Sequence, residues 1–267
     1  MPGQTTSLSA WDITLTLSII NMVRTTQTIG IIIIMLLAIS CSKMNPGDCF
    51  KNSGSVSTQV RVASPFSYLH MKNNVDVFLT YTQEYSIEVR AGKNIIPGIK
   101  TSIEGNTLSI SNENSCNWVR SYNSPIEVYI GLPRLDSIIY QSSGNLTSVN
   151  KFIGDSIKLD ILEGAGSINL WIDMKKTRIS LAYGTADVNV KGYSHLSYLY
   201  SDGYGPADLS KLQTEFTYMS SNSTNNCRVR ASLELHVGIS NVGNVYYSGN
   251  PLEVHRNITG TGKLYKE

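Results

Sequence analysis

Charge is scarce in this chain. Only 16% of its 267 residues are Asp, Glu, Lys or Arg, against roughly 25% in an ordinary soluble domain. The 22 basic and 20 acidic residues leave a formal charge of +2. Such a balance lacks the basic excess that grips a phosphate backbone, so no nucleic-acid partner is expected. The charge block of a disordered tail is missing as well. No apolar run reaches the ~20 residues of a membrane span. Catalytic signatures are equally thin: no GxSxG, HExxH or phosphate-loop motif occurs. The four histidines, His70, His195, His236 and His255, are scattered singly, and no cysteine pair has CxxC spacing. Neither a cofactor nor a metal set is therefore expected. What fills the space is Gly (21), Tyr (15) and many Ser, Thr and Asn residues, the composition of a large, turn-rich β-structure.

The N-terminal region carries an address. Arg24 is the only basic residue before position 41, and an eleven-residue apolar run from Ile29 to Ile39 follows it. That length suits the core of a secretory signal. The run ends in Leu37-Ala38-Ile39-Ser40-Cys41, which resembles the lipobox of bacterial lipoproteins, whose cysteine is diacylated and starts the mature chain. The other reading is an ordinary signal peptide that happens to contain a cysteine. Residues 1–21 carry Asp12 and do not belong to the signal, so translation is expected to begin at Met22. The expected layout is an upstream extension over 1–21, a lipoprotein signal over 22–40, a short tether over 41–51 and one folded domain over 52–267. Three cysteines remain after lipidation of Cys41, enough for one bridge in an oxidising compartment. Cys49–Cys116 is the preferred pair, because Cys227 falls at a core position of the repeat.

That repeat is the strongest structural signal. Runs such as Val75-Asp76-Val77-Phe78-Leu79 and Ile126-Glu127-Val128-Tyr129-Ile130 alternate with the period of a strand. In the second half, a small, a polar and an aliphatic residue recur. The copies are Gly144-Asn145-Leu146, Gly166-Ser167-Ile168, Ala186-Asp187-Val188, Ala207-Asp208-Leu209, Asn225-Asn226-Cys227, Gly243-Asn244-Val245 and Gly262-Lys263-Leu264. Their last residues fall 18–22 positions apart. One turn signal per ~20 residues predicts an all-β fold, a stacked β-solenoid (β-helix) in which each coil covers its neighbour's inner face. A β-sandwich is the alternative. Stacked coils bring equivalent side chains into rows about 4.8 Å apart, and rows penalise repeated like charges. The charge deficit follows from that geometry. Asn74-Val75 and Gly105-Asn106-Thr107-Leu108 read as degenerate copies of the motif in the first half.

Asn74-Val75-Asp76-Val77-Phe78-Leu79, Cys116-Asn117-Trp118-Val119-Arg120, Glu163-Gly164-Ala165-Gly166-Ser167-Ile168 and Gly243-Asn244-Val245-Tyr246-Tyr247-Ser248-Gly249 resemble one family. It is the envelope lipoprotein family described as putative auto-transporter adhesin, head GIN domain, and the resemblance spans about residues 50–267. It implies a stacked β-helical fold, a cell-envelope location and no established reaction.

Three constellations follow from the repeat. Asp187 and Asp208 hold one place in successive copies, which reads as turn capping or as a weak calcium pair. Tyr183 and Tyr204, five positions before their anchors, with Tyr198, Tyr200 and Tyr218 nearby, could form an outward aromatic strip offered to a glycan, polymer or protein. The plain alternative is β-propensity on half-exposed strands. Asp160/Glu163 or Asp187/Asp208 can be nominated as a glycosidase pair, but no Lys, Arg or His gathers around either. The expected protein is therefore no enzyme. It is an outer-membrane lipoprotein held to the membrane by Cys41 and acting as an adhesin or binding scaffold. A purely structural envelope component ranks second, and a polysaccharide-active enzyme is a distant third.

Overall fold

The computed structural model describes residues 52–114 and 125–267. The upstream extension, signal and tether lie outside the described residues, as do Cys41, Cys49 and Cys116. Strands hold 64% of the described residues, and the one helical element among those residues is a short 3-10 turn at Ile96–Gly98. The first nine strands are β1 (Val56–Arg61), β2 (Tyr68–Asn73), β3 (Asp76–Tyr81), β4 (Ser86–Gly92), β5 (Ile99–Glu104), β6 (Thr107–Asn112), β7 (Ile126–Leu132), β8 (Ser137–Ser142) and β9 (Leu146–Ser148). Three long strands follow, β10 (Phe152–Gly164), β11 (Ser167–Leu181) and β12 (Asp187–Ser201). The last seven are β13 (Ala207–Asp208), β14 (Leu212–Ser221), β15 (Cys227–Arg230), β16 (Glu234–Ile239), β17 (Val245–Ser248), β18 (Glu253–Ile258) and β19 (Leu264–Lys266).

These strands stack in parallel as a β-solenoid of about six turns with ~20-residue spacing. One face runs β6–β2–β8–β10–β11–β12–β14–β16–β18. The other runs β7–β3–β9–β11–β12–β13–β15–β17–β19. The long strands β10–β12 bend from face to face, and pairs such as Phe152↔Ile172 and Gly192↔Leu212 make a short third side. At the N-terminal end the pairing turns antiparallel. There β5 closes β6, β4 closes β7, and β1 adds to β4.

Alternation delivers one apolar residue per coil to each inner row. The first row is Val77, Leu146, Ile168, Val188, Ala207, Cys227 and Val245, each at most 1% exposed. The second is Leu69, Ile138, Leu159, Ile179, Leu199, Met219 and Val237, all buried. Cys227 is thus a core residue, free of any disulfide, and burial raises its thiol above the ordinary value.

The register corrects two sequence readings. Val188 pairs with Ala207, not Leu209, so the true copy of the motif is Gly205-Pro206-Ala207. A Cβ on Gly205 would come within 2.0 Å of the Ala186 carbonyl oxygen, which explains the glycine at that corner. Gly105-Asn106 is not a corner at all. It is the tight turn between antiparallel β5 and β6, with Gly105 at a φ of 58°.

The coils are also out of chain order. β2 lies between β6 and β8, and β3 between β7 and β9. The first coil in the chain is therefore covered on both sides by later ones, and the spacing in the first half looked irregular for that reason.

Candidate functional site

At several corners the polar residue has a structural task. The Asp76 side chain accepts the Asn145 N–H at 2.6 Å, and Asn145 accepts that of Ser167 at 3.0 Å. Further along, Asn226 accepts from Asn244 and Asn244 from Lys263, at 3.0 and 2.9 Å. Side-chain carbonyls thereby cap the amides of the next coil. The Asp187 N–H goes instead to the Gly166 backbone carbonyl, and Asp187 has no amide to cap because its neighbour is Pro206, which has no N–H to give. Asp208 sits two positions later, in register with Asn189 and Arg228. Its carboxylate accepts both the N–H and the hydroxyl of Ser210, at 2.9 and 2.6 Å. Asp187 and Asp208 are consequently not equivalent, and Asp208 is a turn cap. Of the other nominated pair, Asp160 is salt-bridged to Lys158 at 2.5 Å and Glu163 accepts from Gln141 at 3.2 Å.

Tyr183 and Tyr204 do not form a row either. With Ala207 as the anchor, Tyr204 stands three positions before it, whereas Tyr183 stands five before Val188. The two tyrosines project separately from corners, 72% and 61% exposed, and no ring contact joins them among the described residues.

The strip exists elsewhere. Tyr198, Tyr218, His236 and His255 occupy one outward row across β12, β14, β16 and β18. Their rings stack successively at 5.2, 4.5 and 4.4 Å, with interplanar angles of 11–22°. Tyr200 lies beside Tyr198 at 6.4 Å, and Lys176 and Arg178 sit over the rings of Tyr198 and Tyr200. Stacking uses up the ring faces, so the ladder is not the open aromatic platform that the sequence reading supposed. What it offers outward are ring edges and phenol hydroxyls, while Nε2 of His236 and Nε2 of His255 contact the Glu234 and Glu253 carboxylates. Burial and the Glu234 carboxylate push the Tyr218 phenol above its ordinary value.

Beside the ladder runs a groove of about 280 Å3, bordered by Tyr200, Tyr218, His236, His255 and Asn257. Its floor is low because Ser220 and Gly238 follow Tyr200 in the neighbouring row. Gly238 is not forced by crowding, since a Cβ there would meet nothing nearer than 3.8 Å. On the other face a second groove, of about 410 Å3, is lined by Asn169, Asn189, Asp208, Trp171 and Lys191. Lys191 covers the Trp171 ring at 4.9 Å.

Sequence reasoning found Tyr198, Tyr200 and Tyr218 but missed His236 and His255, which were read as isolated. The signal was present: Glu234-Leu235-His236 and Glu253-Val254-His255 repeat Glu-x-His at the coil period.

Residues 65–251 match the family described as putative auto-transporter adhesin, head GIN domain. No curated protein matches the chain. Among solved structures, a putative adhesin from Bacteroides fragilis superposes with a TM-score of 0.72 at 18% identity, covering 80% of this chain and 97% of that one. A putative adhesin from Parabacteroides distasonis gives 0.60 at 16%, covering 80% and 98%. A protein from the same organism, described as a putative lipid binding protein, gives 0.57 at 18%, covering 81% and 98%. At these identities the likeness is one of fold.

Proposed function

Because the chain belongs to the putative auto-transporter adhesin, head GIN domain family, we propose that it is a non-enzymatic cell-envelope protein that binds an extended glycan along the groove beside Tyr198, Tyr218, His236 and His255. One observation carries this reading: a row of stacked rings, with phenol hydroxyls and with carboxylates beside its imidazoles, borders a floor cleared by Ser220 and Gly238. Donors and acceptors repeated at coil spacing suit a polymer that itself repeats. In the same reading, Cys41 carries a lipid that anchors the protein to the outer membrane. Among the described residues no helix is long and apolar enough to cross a membrane.

Retention of the full chain on a panel of immobilised polysaccharides tests the proposal. Tyr218→Phe removes one hydroxyl and keeps the stack, while Gly238→Tyr fills the groove on an open site. Both are expected to lose retention while folding as the wild type does. Equal retention by all three proteins, or no retention on any polysaccharide, would overturn the glycan reading in favour of a structural role.

A further inference from the structure

Period-two alternation puts Glu234 and His236 on the outer face of β16 and Glu253 and His255 on that of β18. The register then sets Glu234 against Glu253 and His236 against His255. The result is a two-by-two array of carboxylates beside imidazoles.

Like charges facing each other across strands are destabilising unless compensated. Elsewhere in the solenoid each such neighbour has its own partner. Asp76 faces Glu127, but Asp76 accepts the Asn145 N–H and Glu127 binds Arg90. Lys158 faces Arg178, but Lys158 binds Asp160 and Arg178 lies over Tyr200. Among the described residues, Glu234 and Glu253 make ion-pair contacts with imidazoles only. A neutral imidazole supplies no positive charge.

The ring nitrogens converge. Nε2 of His236 and Nε2 of His255 both approach Glu234 Oε1, the former in a very short contact and the latter at 3.5 Å. Glu253 Oε2 lies 3.2 Å from His255 Nε2. One ligand atom from each of Glu234, His236 and His255 falls within 4.8 Å of the others. Ligand atoms around a tetrahedral zinc, with bonds of ~2.0–2.2 Å, stand roughly 3.3–3.6 Å apart. Closing the set takes about 1 Å of side-chain movement, which half-exposed groups can make. His255 is 51% exposed and Glu234 28%.

We infer that Glu234, His236 and His255, with Glu253 alongside, form a binding site for a divalent transition-metal ion of the zinc class. Two imidazoles and a carboxylate are the donor set that such ions take. The ion would neutralise the facing carboxylates and tie the edge strand β18 to β16. This inference goes beyond the glycan reading and does not depend on it.

Calorimetric titration of chelator-treated full-length protein with zinc chloride is the test, with cobalt(II) as a spectroscopic stand-in. The expected result is one zinc per chain and visible absorption typical of tetrahedral cobalt. His236→Ala, His255→Ala and Glu234→Gln should each weaken zinc by at least about tenfold, as loss of a direct ligand exceeds loss of a supporting contact. His195→Ala, at a histidine paired with Glu215 elsewhere, should bind as wild type does. Far-ultraviolet circular dichroism in chelator checks that each variant is folded, and His255 on the edge strand is the safest replacement. No saturable binding, binding unchanged in the three variants, or binding lost with His195 would each overturn the site. Polysaccharide retention is measured separately in chelator, so failure of one proposal is told apart from failure of the other.

Discussion

The Tyr140 hydroxyl accepts the Gly166 N–H at 3.0 Å while donating to the Gly144 carbonyl at 2.7 Å, so one buried side chain stitches two successive corners. A Cβ on Gly166 would lie 2.3 Å from that hydroxyl and 2.2 Å from the Gly144 oxygen. Tyr140→Phe should cost about 1–3 kcal/mol by leaving buried groups unpaired. Gly166→Ala should cost more, because the backbone must move. Urea unfolding followed by circular dichroism measures both. Equal stability of Tyr140→Phe and wild type would refute the stitch.

Burial pushes the Tyr140 phenol up to about 12. In the unfolded chain it would ionise near its ordinary value of about 10. Above that point the unfolded state holds fewer protons than the native state, so stability falls as pH rises. The contribution is complete below pH ~10 and is lost as pH climbs through ~12, on the order of 2 kcal/mol. Unfolding free energies measured across that window should decline, and the decline should be shallower in Tyr140→Phe.

Corner capping by asparagine makes a local prediction. Asn244 accepts the Lys263 N–H and donates its own N–H to Asn226. Asn244→Ala removes only the first bond and should cost roughly 0.5–1.5 kcal/mol, with faster amide exchange at Lys263 as the residue-level readout. An unchanged exchange rate would show that the cap carries no weight.

Cys227 is fully buried in the first inner row, and its thiol is held above the ordinary range by burial. Iodoacetamide should leave it unmodified in the native protein and alkylate it in denaturant. Peptide mass mapping reads the two states, and modification under native conditions would contradict the packing.

Lipid anchoring is tested directly by Cys41→Ser. The wild type should partition with membranes and carry a diacyl mass increment on a chain starting at Cys41. The variant should be found in the aqueous phase.

How far the sequence could be read varies along the chain. The small-polar-aliphatic triplet revealed the solenoid because corners need a small residue, a cap and a core anchor at each turn. It slipped by two at Ala207-Asp208-Leu209, where Ala207 and Leu209 alternate inward and both are buried. Either could serve as anchor, and only pairing with Val188 decides. Tyr183 and Tyr204 were joined by that slip. The His236–His255 stack was missed for another reason: a single histidine has no pattern until the coil period is applied to polar positions as well as apolar ones. The crossed order of the first coils was illegible, because nothing in the strings of β2 and β6 says which of them lies outermost.

That crossed order bears on how the molecule carries load. Tension entering from the N-terminal side first meets β1, which is held by β4 alone. Beyond it the pull reaches β2 and β3, each bonded to a parallel neighbour on both sides. A terminal coil would open like a zipper, one bond at a time. An enclosed coil must slide past two partners at once, so many bonds share the force. The rate of forced unfolding is set by that barrier rather than by overall stability.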